Sequence, residues 1–249
     1  MIVLFTDFGM TGPYLGQMKA VLRRGAPEVD IIDLFADAPA HDPKAAAYLL
    51  PAYVTEFPPG TVFLCVVDPG VGGARRPVVV NADDRWFVGP DNGLFELVMR
   101  RANSKARCWT ITWRPERISA SFHGRDLFAP VAARLARDPA PVGEELHAAC
   151  VRRDHWPDDL ASIIYIDVFG NVMTGFRFSS LATTAAVTIA GQRLSYAEVF
   201  ERVPVGDMFW YGNANGLVEL AANRARASDR LGVKIGDAVV IESGATIRH

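Results

Sequence analysis

Apolar positions in the first half of the chain fall into short β-branched runs separated by stretches with helical spacing. The runs Ile2 to Thr6, Val29 to Leu34, Thr61 to Val67, Pro77 to Asn81 and Trp109 to Thr112 read as strands. Thr11, Gly12 and Pro13 form a helix start, with apolar Leu15, Met18, Ala20, Val21 and Leu22 behind it and Gly25 as the stop. Further helices are expected over Ala45 to Phe57 (bent or ended at Pro51), Leu94 to Arg101 and Asp126 to Arg137, with Pro130 near the first turn of the last. Strands alternating with helices predict a layered, Rossmann-like α/β domain with a largely parallel sheet.

The pattern changes after Asp138. Pro139, Pro141, Gly143, Pro157 and clustered charges read as a linker up to Asp159, and the following strand candidates are short and divided by turns. They are Ser162 to Asp167, Asn171 to Phe178, Ala185 to Ala190, Asp207 to Trp210, Gly216 to Leu220 and Ala238 to Glu242, with one short helix near Asn223 to Leu231. The chain is therefore expected to comprise an α/β domain over 1–150, a linker over 151–160 and a small all-β domain, a barrel or sandwich, over 161–249.

Composition narrows the function classes. With 249 residues and 50% hydrophobic content the chain has enough apolar mass to build cores, so disorder is not expected. A net charge of -2 offers no long-range field to gather nucleic acid. No apolar run approaches the roughly 20 residues of a membrane span, and Met1 leads directly into a strand without a basic leader, so the expected setting is cytoplasmic. Cys65, Cys108 and Cys150 lack metal or redox spacing and read as buried thiols. His41, His147, His155 and His249 form no ligand-spaced pair, and no catalytic metal is expected. Neither a phosphate-binding GxxxxGK loop nor a GxGxxG turn after the first strand is present.

Asp7 and Asp68 each follow a predicted strand, at the end where open α/β sheets bind ligands. Asp68 opens the turn DPGVGGARR, in which glycines permit close backbone approach and Arg75 follows seven residues later. That arrangement reads either as an acid and base around one bound molecule or as a structural ion pair at a corner. His123, in SFHGRDLFAP, is suited either to proton transfer near neutrality or to capping the helix that follows. IDVFGN sets Asp167 and Asn171 about Phe169, a combination that reads adenine by amide and ring, or forms an ordinary hairpin with a buried Phe.

Six segments, in order, extend this picture: LFTDFG (4–9), VVDPGVG (66–72), GPDNG (89–93), FHGRD (122–126), FGN (169–171) and NANGLVELA (213–221). Together they resemble the S-adenosylmethionine hydroxide adenosyltransferases, relatives of fluorinating and chlorinating enzymes that act on the same substrate. The resemblance implies a Rossmann-like N-terminal domain, a C-terminal β-barrel, hydrolysis of S-adenosylmethionine to adenosine and methionine, no cofactor, and a homotrimer with sites between subunits. By position it assigns water activation to Asp68, Arg75 (or its neighbour Arg76) and His123, ribose binding to Asp7, the methionine end to Asp167 and adenine to Asn171. His41 stands where an aromatic residue covers the ribose in the halogenating branch, and Phe122, Phe169, Tyr196 and Asn215 complete the implied substrate-binding set. Asp68 and Val71 replace the Tyr and Thr of that branch, which favours water over halide. Gly12 departs from the family's acidic residue, and Ala214 and Asn215 stand where the halogenating relatives have Ser and Arg. Halide transfer, and ligand binding without turnover, are the competing readings.

Overall fold

A computed structural model describes residues 1–141, 143–147 and 151–242; Cys150 and His249 lie outside the described residues. The chain divides into two compact units, Met1–Trp156 and Pro157–His249.

In the first unit, β1 (Ile2–Thr6) and β3 (Val62–Val66) are the innermost parallel strands. Every residue of both is buried, which explains why each reads as an unbroken apolar run rather than an alternating one. With β2 (Ile31–Phe35), β4 (Pro77–Ala82), β5 (Arg85–Pro90), β6 (Arg107–Ile111) and β7 (Gly143–Leu146) they form a seven-stranded sheet in the order β2-β1-β3-β5-β4-β6-β7. The helices α1 (Tyr14–Gly25) and α5 (Ala129–Arg137) cover one face, burying Met18, Leu22, Val131 and Leu135 against Ile2, Leu4, Leu64 and Val88. On the other face Phe63 stacks on Phe87 at 5.0 Å, and Phe95 packs on Phe87 ahead of α4 (Glu96–Arg100). The helix expected over Ala45 to Phe57 is two: α2 (Pro43–Leu49), capped by the Asp42 carboxylate accepting from the Ala45 N–H, and α3 (Pro51–Val54), which begins at the predicted break.

Two expectations for this unit change. The sheet is mixed rather than largely parallel: β4 pairs antiparallel with both β5 and β6, β7 pairs antiparallel with β6, and β5, unmarked in the sequence, inserts between β3 and β4. It runs parallel to β3 and forms a tight hairpin with β4, whose turn residues Asp83 and Asp84 both take left-handed backbone angles of +47° and +58°. The Asp83 carboxylate, accepting from the N–H groups of Asn103 and Ser104, holds that turn in place. The segment from Asp138 read as a linker contributes β7, which pairs antiparallel with β6 at the sheet edge.

The second unit contains β8 (Leu160–Ile166), β9 (Val172–Arg177), β10 (Ala186–Ile189), β11 (Gln192–Leu194), β12 (Met208–Gly212), β13 (Leu217–Ala222), α6 (Ala227–Leu231) and β14 (Val240–Glu242). The strands form a four-stranded sheet, β12-β13-β9-β8, and a three-stranded one, β11-β10-β14, about a core that includes Trp210, Val187, Ile163 and Leu220. The barrel that the resemblance implied is not closed among the described residues. The edges of the two sheets meet at the isolated bridges Ser162↔Ala238 and Tyr196↔Trp210 rather than along a continuous ladder.

Candidate active site

Thr6, at the end of β1, pairs in register with Val66, at the end of β3. Parallel pairing therefore delivers Asp7 and Asp68 side by side at the C-terminal edge of the sheet. The β3 end is pinned further by Asn92 of the GPDNG segment, whose amide donates to the Val67 carbonyl at 2.8 Å. A cavity of about 240 Å³ opens at this edge, and Asp7, His41, Asp68, Phe122 and His123 all line it.

Arg75 is the hub of the site. Its Nε lies 3.0 Å from each Asp68 carboxylate oxygen, and its Nη2 donates to Asp68 Oδ2. The same Nη2 lies 3.0 Å from His123 Nδ1, across 48 residues of sequence. A guanidinium only donates, so Nδ1 accepts and the proton of the neutral imidazole sits on Nε2. Burial, and then the Arg75 charge, hold the His123 pKa below its ordinary value of 6.5, with Arg114 adding to the effect and Asp68 and Asp126 opposing it. The pair is well shielded: the Asp68 side chain is 4% exposed and that of Arg75 10%. Arg76 turns away and bonds Asp91 at 2.7 Å, so only Arg75 joins the acid and the imidazole.

The rim is built from aromatic rings and a strained backbone. Phe8, Tyr14 and Phe122 meet edge to face or tilted at 5.5–6.0 Å. His41 takes a left-handed backbone angle of +58° and donates its N–H to Asp7 Oδ2 at 3.0 Å, orienting that carboxylate. At Gly72, where φ is +78°, an added Cβ would come within 2.5 Å of the Ala120 carbonyl oxygen. The glycine is thus required for the turn after Asp68 to pack against the strand-to-helix segment that carries His123.

In the second unit, Asp167 organises the turn between β8 and β9. Its carboxylate accepts the N–H groups of Phe169 and Asn171 at 2.9 and 2.8 Å and the Asn171 amide at 2.9 Å. The turn extrudes Phe169, 72% exposed, rather than burying it as an ordinary hairpin Phe. Phe169 and Asn171 line a depression of about 640 Å³ together with Tyr211, Arg224 and Arg226. Tyr196 sits apart, stacked on Phe178 at 6.1 Å and tilted against Trp210 at 5.0 Å. Asn215 stands on the β12–β13 turn, its N–H bonded to the Asn213 side chain at 3.0 Å.

The family of SAM hydroxide adenosyltransferases matches this chain twice, its N-terminal domain over residues 2–143 and its C-terminal domain over 161–240. The chain belongs to this family. It is 37% identical to an (R)-S-adenosyl-L-methionine hydrolase of Thermus thermophilus, over 94% of this chain and 96% of the relative. A protein of the same name from Salinispora arenicola is 34% identical over 96% of both chains. A solved structure of an uncharacterized conserved protein from Thermotoga maritima superposes with a TM-score of 0.85 at 32% identity, covering 97% of this chain and 99% of that one.

Within this member of the family, one buried group escaped sequence reasoning. Glu219 on β13 is 3% exposed, accepts from the Tyr211 hydroxyl, and accepts the Asn213 amide at 2.8 Å. Burial raises its pKa, with the nearby Asp167 charge adding to the shift, and burial together with Glu219 raises that of Tyr211. The NANGLVELA segment carried the only signal: Glu219 is the lone charge in an otherwise apolar strand.

Proposed function

We infer that the protein hydrolyses S-adenosyl-L-methionine to adenosine and L-methionine. The observation that carries this reading is the convergence of Asp68, Arg75 and His123 through one guanidinium at the edge of a cavity. The names of its relatives support the same reaction.

The sulfonium of the substrate is its own leaving group, so the proposed reaction uses no metal or cofactor. What it lacks is a nucleophile, because free water has a pKa of about 15.7. In the proposed step a water held between the Asp68 carboxylate and the His123 Nε2–H attacks the ribose C5′. The C5′–S bond breaks with its electron pair going to sulfur, and the water proton leaves through Asp68 to solvent. Arg75 keeps Asp68 and His123 in register, and aligning water behind C5′ is worth on the order of 7 kcal/mol or more. Asp7 is assigned the ribose hydroxyls, His41 and Phe122 the walls around the sugar, and Phe169 and Asn171 the adenine ring and edge. Asp167 is assigned the ammonium of the methionine end and Asn215 completes the substrate-binding set, whereas Tyr196, packed on Phe178 and Trp210, is left to the core.

The 240 Å³ cavity is smaller than the roughly 300 Å³ at the low end for pockets that bury a ligand of this size. That supports further lining from outside the Met1–Trp156 unit, which the proposed assembly, a homotrimer with sites between subunits, would supply. Cys65 is a buried free thiol, which suits the proposed cytoplasmic setting.

Incubation with S-adenosylmethionine in ¹⁸O-labelled water is the direct test. The reading expects one label in adenosine and none in methionine. Unlabelled adenosine, or a 5′-chlorinated nucleoside formed in chloride, would overturn it.

A further inference from the structure

The FHGRD segment contains two charges, Arg125 and Asp126, to which the proposed reaction gives no part. Neighbouring residues on a helix do not ordinarily face one another. Here the two side chains meet, on the π-helical turn Gly124–Phe128. Arg125 Nε lies 2.6 Å from Asp126 Oδ1 and Nη2 lies 3.0 Å from Oδ2. With its remaining nitrogen Nη1, Arg125 donates to Gln17 Oε1 of α1 at 2.7 Å, and its guanidinium lies 5.0 Å over the Phe122 ring. Asp126 Oδ2 in turn accepts the Ser119 N–H at 2.8 Å, and the Asp126 N–H donates to the Phe122 carbonyl at 3.2 Å.

These bonds close a loop. The chain from Ser119 to His123 is tied at its start to Asp126 and through Arg125 to α1. It supplies Ser121, Phe122 and His123 to the cavity wall. Across from Asp126, the same segment abuts the glycine-rich turn after Asp68 at Ala120. An ion pair open to solvent on its Arg side contributes little to stability. The bidentate geometry instead defines a position, that of His123 relative to Arg75.

We propose that Asp126 is a positioning residue for hydrolysis, holding the Ser119–His123 wall through Ser119 and Arg125 so that His123 meets the Arg75–Asp68 pair. This rests on the reading of function above. The charged groups that face His123 are Arg75, Asp68, Arg114 and Asp126, so removing the Asp126 charge also takes away one of the two anions that favour protonated imidazole.

The test compares Asp126→Ala and Asp126→Asn with the wild-type protein for kcat, KM and the pH profile of adenosine release, alongside thermal unfolding. Asp126→Ala loses both the Ser119 acceptor and the Arg125 partner. Its expected result is a fall in kcat of about 100-fold, the scale of an ångström-sized misplacement, with far less change in KM. Asp126→Asn can still accept from Ser119 but carries no charge. It is expected to retain more kcat and to move the acid limb of the profile to lower pH, a shift that a merely structural role would not cause. Wild-type kcat and profile in both variants overturn the proposal, as does a loss of activity that follows the unfolded fraction with the acid limb unmoved. If Asp126→Ala does not fold, Asp126→Asn decides; if neither folds, the pair is a folding element and the proposal fails. A wild-type protein that releases no adenosine would instead overturn the functional reading, so the two failures are distinguishable.

Discussion

Arg75 Nη2 lies 3.0 Å from His123 Nδ1 while also donating to Asp68, so one guanidinium nitrogen joins an acid and an imidazole that are 55 positions apart. The contact has consequences for rate, for pH and for stability.

Replacing Arg75 with Lys keeps the charge but not the fork that reaches two partners. Turnover of Arg75→Lys is expected to fall by about 100-fold, the cost of a misplaced reacting group. Arg75→Ala leaves the shielded Asp68 carboxylate without its cation and is expected to cost about 3–5 kcal/mol, read by urea unfolding. A wild-type rate in the Lys variant would show that alignment through Arg75 is not needed.

Acidification bears on His123 in a defined direction. Because the folded protein holds its pKa below 6.5, the unfolded chain takes up the proton first. The stability tied to the neutral ring is therefore complete above pH 6.5 and is lost as pH falls through the folded pKa. His123→Asn is expected to flatten this part of the stability profile. Turnover of the wild-type protein should fall over the same range, because a protonated Nδ1 can no longer accept from Arg75. Parallel stability profiles for the two proteins would contradict this account.

Gly72→Ala tests the close approach between the two halves of the site. The new Cβ meets the Ala120 oxygen as well as an unfavourable φ, whereas at Gly12, with φ +106°, nothing lies within 4 Å. Gly12→Ala is expected to cost about 1 kcal/mol from the backbone alone, and Gly72→Ala distinctly more, with loss of turnover. Equal melting temperatures for the two variants would argue against the packing.

Phe169→Ala separates a ligand-facing ring from a structural one. Exposed as it is, the ring should contribute less than about 0.5 kcal/mol to stability. Loss of a stacking partner for adenine should weaken substrate binding by about 1–3 kcal/mol, seen as a raised KM. A lowered melting temperature with unchanged KM would reverse the assignment.

The linear chain was sufficient for whatever depends on neighbours in sequence. The runs at Ile2 to Thr6 and Thr61 to Val67 marked the central strands because total burial demands continuous apolar residues. Pro51 marked the helix break because it lacks an N–H to continue the ladder, and the carboxylates Asp7 and Asp68 were placed at strand ends by counting. Tertiary structure decided everything that depends on which distant segment comes to lie alongside. The antiparallel pairing of β4 with β5 and β6, and of β6 with β7, made the sheet mixed, and the second unit's two sheets came to meet at isolated bridges rather than a continuous ladder. The choice between Arg75 and Arg76 was likewise invisible, since both follow the same turn. It was made by Asp91, held at the end of β5, which takes Arg76 and leaves Arg75 to Asp68 and His123. Periodicity and backbone restriction are written residue by residue, whereas a contact across 48 residues exists only once the whole sheet has brought its ends together.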